Sequence, residues 1–328
     1  MISIHSSNSN HPHRGPMDGT SVGKVPEKPS PVSSPSFCNS SFGAKPHGAA
    51  PTSVEAQRAM SITGRPYLSW SQVASYTLCP KAFEFKYVQR IEPDFIPVSL
   101  AFGIAFHDAV ASVAMADLEG APRPSVADLM PHIVESMQGA TTPLRLGKGE
   151  SLESVHALAN RMLTAYLESP ASEMSGSAIC IEDCTRGTID VALPPIEARV
   201  DSVYQSESGT LVVRDVKTTR TKWSAEKVAE AAPQLQLYAL LVNAELESVG
   251  SVKHLEFLTV TKASKPVVAL HQVPVLQTPQ TLVAQLKSVW QGMTLGVYPA
   301  RPGWPCKTCP YASKCPAAIK PAGASDEP

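Results

Sequence analysis

The chain has 328 residues, 43% of them hydrophobic and 17% charged, with a formal net charge of −1. That length and apolar share suffice to bury a core in one or two domains. Balanced charge neither points to nor excludes a nucleic-acid partner, because the quantity that matters is charge on one face. No apolar run reaches ~18 residues, so no membrane span is expected, and the N-terminus lacks the charged-then-apolar order of a secretion signal.

The first 63 residues are rich in Ser, Pro, Asn, Gly and His, a composition that predicts a disordered tail. His5, His11, His13 and His47 are read as solvated tail residues, and Cys38 as a free thiol. Ordered structure is expected from residue 64 to residue 318, with 319–328 as a second short tail. In "YLSWSQVASYTLCPKAFEFKYV", Ser69 or Ser71 can cap a short helix and Pro80 suits the first turn of the next. A longer helix is predicted over Ser99–Leu118, with Phe102, Phe106, Ala109, Val110 and Val113 as its apolar stripe. Helices near 125–138 and 151–168 follow.

The hydrophobic period then changes to that of strands in "SAICIEDC", "IEARVDSVYQ" and "GTLVVRDVKT", the last two joined by a turn at Ser208–Gly209. A helix over about 229–247, strands at 252–260 and 266–273 and a helix near 278–294 lead to a Cys/Pro-rich end. The order implies an α/β or α+β fold, a mixed sheet with flanking helices and an N-terminal helical part.

Chemistry gathers around "LVVRDVKTTR". Asp215 and Lys217 are two apart on a strand and share a face. The plainer reading is a solvent-facing ion pair, which contributes little to stability. Asp201 changes the balance, since a short turn joins its strand to that of Asp215. Two buried carboxylates side by side are costly unless a cation lies between them, and hard oxygen ligands suit Mg²⁺ or Mn²⁺. Gln234 and Tyr238 lie four apart on one helix face, either as an ordinary polar flank or, turned to the acidic strands, to hold a water or a phosphate. Gln236 is expected to face solvent. His107 interrupts a small, apolar helix, as a satisfied core residue or as a further ligand.

Seven cysteines, an odd number unevenly spaced, fit a reduced cytoplasmic setting with metal use better than a disulfide scaffold. "PCKTCPYASKC" places Cys306, Cys309 and Cys315 close together, with Cys79 far upstream. Four thiolates bind either zinc or an iron–sulfur cluster, and spacing alone does not separate the two. Cys180 and Cys184 are read as strand cysteines.

In order and spacing, "GIAFH", "ARVDSV", "VVRDVKT" and "QLQLYA" resemble the PD-(D/E)XK nuclease superfamily. The resemblance is to its RecB-type exonuclease branch, which includes the AddB nuclease domain and the CRISPR adaptation nucleases, and it covers about Leu68 to Pro316. It implies a restriction-endonuclease-like fold and metal-dependent hydrolysis of DNA at strand ends. It also implies His107, Asp201, Asp215 and the Val216 carbonyl as metal ligands. Lys217 would orient or deprotonate the attacking water and steady charge on the phosphate, Gln234 would position that lysine or water, and Tyr238 would support the same helix face. For Cys79, Cys306, Cys309 and Cys315 it implies a [4Fe–4S] cluster in preference to zinc. DNA is the implied partner, with a helicase or other DNA-processing subunit supplying any unwinding, since no helicase phosphate loop is present. The rival from another class is a non-cleaving DNA-binding or scaffold subunit that keeps fold and cluster. Lys81, Lys86, Arg90, Arg220, Lys222, Trp223, Arg301, Lys307 and Lys314 are expected either to track a phosphate backbone or to be plain solvated surface.

Overall fold

A computed structural model of the chain describes residues 53–139, 142–276 and 278–317. The expected tail over residues 1–52, with its histidines and Cys38, and the tail from 319 lie outside the described residues. In chain order the elements are α1 (Val54–Thr63), β1 (Leu68–Ser69), α2 (Trp70–Leu78), α3 (Pro80–Phe83), β2 (Ile96–Pro97), α4 (Val98–Glu119), α5 (Val126–Gln138) and β3 (Leu144–Arg145). They continue with α6 (Leu152–Leu167), β4 (Ser177–Gly187), β5 (Ile196–Gln205), β6 (Leu211–Thr219), α7 (Ala225–Glu245), β7 (Val252–Thr261), β8 (Val268–Val273) and α8 (Gln280–Thr294).

The main sheet runs β1-β5-β6-β7-β8, with β4 also paired to β5. β5 and β6 form an antiparallel hairpin, β6 and β7 are parallel, and β7 and β8 are antiparallel. The sheet is therefore mixed and flanked by helices, as the sequence predicts. The hairpin turn works because Gly209 takes φ +81°, a left-handed conformation that a side chain would oppose. α7 is the crossover that a parallel β6–β7 pair requires. Ser224 caps it by accepting the backbone N–H of Lys227, so it begins four residues before the predicted start at 229.

Alternation along β6 divides the interior in two. Leu211 and Val213 face a core shared with Leu235, Leu237 and Phe257. Val216, Leu258 and Val260 face the opposite side, where α4, α5 and α6 contribute Phe106, Ile133 and Leu163. Each fully buried side chain of this size contributes about 1.5–3 kcal/mol relative to exposure. Helices on both faces thus clamp one strand, and the polar residues at its end lie between them.

Two expectations are corrected. The segment 54–63, assigned to the tail, is helical. Ser53 caps it, Gly64 ends it in the left-handed region at φ +72°, and Ala56 and Ala59 are buried. Its tertiary anchor is Glu55, whose Oε2 accepts the indole N–H of Trp290 at 2.7 Å. Composition missed it because packing on α8, not intrinsic propensity, supports so short a helix. The second correction concerns α4, whose 22 residues are apolar enough by length and composition to cross a membrane, contrary to the expectation that none is. Phe102, Ala105, Phe106, Ala109, Val110 and Val113 of α4 are buried in the second core, which accounts for that apolarity.

Candidate active site

The hairpin of β5 and β6 stays paired from Gln205↔Leu211 to Ser202↔Arg214 and then opens. Beyond that point the N–H and C=O of Val216 face β5 without a strand partner. Backbone groups so placed need other partners, and functional side chains supply them. Asp201 Oδ2 accepts the Val216 N–H at 2.7 Å. His107 Nε2, from α4, meets the Val216 carbonyl. Opposite a carbonyl this nitrogen acts as donor, which leaves Nδ1 turned toward the acids. Nδ1 lies 3.4 Å from Asp201 Oδ2 and 3.9 Å from Glu182 Oε1.

The other face of β6 carries Asp215 and Lys217. Asp215 is 1% exposed. Its Oδ1 accepts from Gln234 Nε2 at 3.1 Å, and the same amide reaches the Tyr238 hydroxyl at 2.8 Å. Lys217 Nζ lies 2.7 Å from Asp215 Oδ2. The Asp215 carboxylate is thus held on one side by the Gln234 amide and on the other by the Lys217 ammonium. The structure therefore brings His107, Asp201, Asp215, Val216, Lys217, Gln234 and Tyr238 together.

Electrostatics follow from this crowding. Burial pushes Asp215 up to about 6, with Lys217 opposing and the Asp201 charge adding to the rise. Burial likewise raises Asp201, against the nearby charges of His107 and Lys217. For His107 burial acts downward, but Asp201, Glu182 and Asp215 outweigh it and push the imidazole up to about 9. Lys217 is also raised, because Asp215 and Asp201 overcome the penalty of burial. His107, Glu182 and Asp201 offer ligand atoms all within 4.8 Å of one another. Two carboxylates and an imidazole so grouped fit a divalent cation.

Glu182 is absent from the sequence expectations. It sits in β4 across from Asp201, between the paired residues Ile181↔Ser202 and Asp183↔Val200. Its φ of +51° is a left-handed conformation that costs a non-glycine residue energy. Arg199 holds its other oxygen at 2.6 Å. The acid in "CIEDC" was visible, but the strand register opposite Asp201 was not. Cys180 and Cys184 of the same strand join no metal-ligand group among the described residues.

A cleft of about 1150 Å³ opens over the site, lined by His107, Asp201, Lys217 and Tyr238 among others. Of the predicted basic and aromatic patch, Arg220 and Lys307 line it, joined by Arg65, Arg199 and Lys262, which the sequence pattern did not single out. Trp223 instead packs edge-on against Phe257, and Lys81 and Lys314 are paired with Glu84 and Asp94. Gln236, expected in solvent, is buried. Its amide reaches the Pro274 carbonyl, and its oxygen accepts the Leu276 N–H at 3.0 Å.

Cys79, Cys306, Cys309 and Cys315 line one small apolar cavity with Ala82 and Phe85. Cys79 lies between α2 and α3, Cys306 lies in the 3₁₀ turn Trp304–Thr308, Cys309 follows it, and Cys315 follows a second 3₁₀ turn, Ala312–Lys314. Burial raises the Cys309 thiol, and the charges of the other three cysteines add to the effect.

The mixed sheet, the opened hairpin and the acid–lysine pair define a nuclease-type core. Residues 67–316 match the sequence profile of the PD-(D/E)XK nuclease superfamily, and the chain belongs to that superfamily. Among solved structures it is similar to a candidate exonuclease from Eubacterium rectale, at 15% identity over 83% of this chain and 95% of that one, with a TM-score of 0.47. It is also similar to SSO0001, at 15% identity over 70% of this chain and 89% of that one, with a TM-score of 0.34. No curated protein matches it.

Proposed function

We propose that this protein is a divalent-metal-dependent deoxyribonuclease of RecB-like type that hydrolyses phosphodiester bonds at DNA ends. The observation that carries this is the convergence of His107, Asp201, Asp215 and Lys217 on the opened β5–β6 junction, with Asp215 buried and the other three lining a cleft that Arg65, Arg199, Arg220, Lys262 and Lys307 also line. His107, Asp201, Asp215 and the Val216 carbonyl would hold the cation, with Glu182 as an added acid. When bound, Mg²⁺ or Mn²⁺ supplies a nucleophilic hydroxide at neutral pH and neutralises charge on the phosphate. Lys217 is an ammonium at neutral pH, so its role is to place fixed positive charge beside the phosphate oxygens. Gln234 locks the Asp215 carboxylate in orientation and is itself fixed by Tyr238.

For the four cysteines the reading is a [4Fe–4S] cluster, supported by their lining one cavity with Cys79 ahead of His107 and the other three at the C-terminal end. A cluster there would join α2 and α3 to the C-terminal turns.

Purified protein assayed on end-labelled single- and double-stranded DNA with Mn²⁺, Mg²⁺ or EDTA tests the reading. Cleavage should require the cation and vanish in Asp215→Asn. DNA binding without cleavage under every condition would favour the scaffold subunit instead.

A further inference from the structure

We infer that Lys262 and Arg220 form a clamp for a phosphate of the nucleic acid other than the one being cleaved. The inference rests on the nuclease reading for the identity of the ligand, but on its own observations for the site. β6 and β7 are parallel, so their C-terminal ends emerge side by side, and the backbone N–H of Lys262 donates to the Thr219 carbonyl at 2.6 Å. Arg220 follows directly, which places two cations on adjacent strand ends.

Both line the same cleft as His107, Asp201 and Lys217. Lys217 lies three residues before Arg220 along the chain. A nucleic-acid strand seated on Lys217 therefore has a neighbouring phosphate to present to the strand ends. Lys217 serves the reacting phosphate, while the pair beyond it serves the next stretch of backbone.

Neither cation has an acidic partner. Among the described residues no carboxylate forms an ion pair with Lys262 or Arg220, whereas in the same cleft Arg199 has Glu182 and Lys217 has Asp215. Lys262 is half-buried, held by the Ser99 carbonyl at 3.0 Å and 4.9 Å from the centre of the Phe102 ring. Glu150, whose charge reaches Lys262, accepts the Gly147 N–H at 2.7 Å. Burial, with the adjacent Arg220 charge, pushes the Lys262 ammonium down to about 8. Two like charges held together without a counter-ion are a cost to the free protein. An anion bound between them removes it, and a phosphodiester offers two oxygens for the purpose. The Phe102 ring beneath the Lys262 ammonium and the Ser99 carbonyl together fix that head at the cleft wall.

The clamp is a positioning device, so its test separates binding from chemistry. Full-length wild type, Lys262→Gln, Arg220→Gln and Lys262→Arg are compared on two substrates. One is a single-stranded oligonucleotide; the other is thymidine 5′-p-nitrophenyl phosphate, which presents a single phosphate. The glutamine variants should raise KM for the oligonucleotide about tenfold, as expected when a charged hydrogen bond is removed, with kcat held. Hydrolysis of the small substrate should be unchanged, and Lys262→Arg should restore most of the oligonucleotide KM. In a parallel assay, anisotropy of a fluorescein-labelled oligonucleotide in EDTA should give a plot of log affinity against log salt that is shallower by about 0.7 for each cation withdrawn from the phosphate backbone.

Equal KM for all four proteins on the oligonucleotide, with unchanged salt slopes, overturns the clamp while leaving the nuclease reading intact. Equal losses on both substrates also overturn it, by assigning the residues to the reaction centre or to the fold, and thermal melts tell those apart. Salt-sensitive binding that depends on Lys262 in a protein that cleaves nothing supports the clamp and sinks the nuclease reading. Absence of any binding by wild type sinks both.

Discussion

The Asp201 carboxylate accepts the backbone N–H of Val216 at 2.7 Å, at the point where β5 and β6 cease to pair. One side chain thus closes the gap in the sheet and lends its charge to the site. The two duties are separable by substitution. Asparagine retains an oxygen to accept the N–H, whereas alanine leaves that buried donor without a partner at a cost of about 1–3 kcal/mol. Asp201→Asn should therefore lose metal-dependent cleavage and remain more stable than Asp201→Ala by that margin in urea unfolding. Equal stability of the two variants would show that the hydrogen bond does not support the junction.

Asp215→Asn and Lys217→Gln should each lower the cleavage rate by at least about a hundredfold, because one withdraws a proposed ligand and the other the fixed charge beside the phosphate. Circular dichroism and melting should show both variants folded. Cleavage within a few-fold of wild type by either folded variant would remove that residue from the proposed roles.

Glu182 makes a finer test. It adds a third ligand atom to the group of His107 and Asp201, and its backbone is held at φ +51°. Glu182→Gln keeps the size and the Arg199 contact but removes the charge. The Mn²⁺ concentration for half-maximal activity should rise about 10–100-fold, the range found when groups that support a metal are altered. A purely structural Glu182 would leave the Mn²⁺ requirement where it is.

Much of this site was legible because its residues fall at periods that the backbone imposes. Asp215 and Lys217 share a strand face, and Gln234 and Tyr238 share a helix face, whatever the rest of the chain does. Glu182 and Lys262 were not legible, for a common reason. Their importance comes from strand register and from which strand ends lie side by side, and both are set by long-range pairing that no local pattern encodes. The helix at 54–63 was missed for a related reason, since its support comes from Trp290, far along the chain.

The protonation of the site links metal binding to pH. His107 is raised from 6.5 to about 9, so its contribution to stability is complete below 6.5 and is lost as pH rises through 9. Asp215 is raised from 3.8 to about 6, and its contribution is likewise lost as pH rises through 6. Both groups therefore make the metal-free protein less stable toward alkaline pH, and both must shed protons to serve as ligands. The rise in Tm caused by saturating Mn²⁺ over EDTA should grow between about pH 6 and pH 9, the window these two groups span. A constant increment across that range would mean that neither group is displaced of its proton by the metal.

Removal of α1 should destabilise the protein. Deletion through residue 63 exposes the surface that Ala56 and Ala59 cover and strips the Trp290 indole of its Glu55 partner. A protein shortened only through residue 52 retains both. The longer deletion should melt several degrees below the shorter one, and coincident melts would show that the helix contributes nothing to the fold.

The cysteine site joins distant parts of the chain. Cys79 and Cys309 line one cavity although most of the family match separates them in sequence. A group bound by all four thiolates closes a very long loop, and the entropy removed from the unfolded chain grows with loop length. Its loss should therefore loosen the whole fold and not only the C-terminal turns. Cys79→Ser and Cys309→Ser should lower stability to similar extents, since either leaves an incomplete ligand set. Protein purified without oxygen should be brown, with broad absorbance near ~400 nm from thiolate- and sulfide-bound iron. Each serine variant should lose that colour. A colourless protein with one equivalent of zinc would replace the cluster by a mononuclear site. Brown colour that persists undiminished in Cys79→Ser would remove this cysteine from the ligand set, and with it the link between α2 and the C-terminal end.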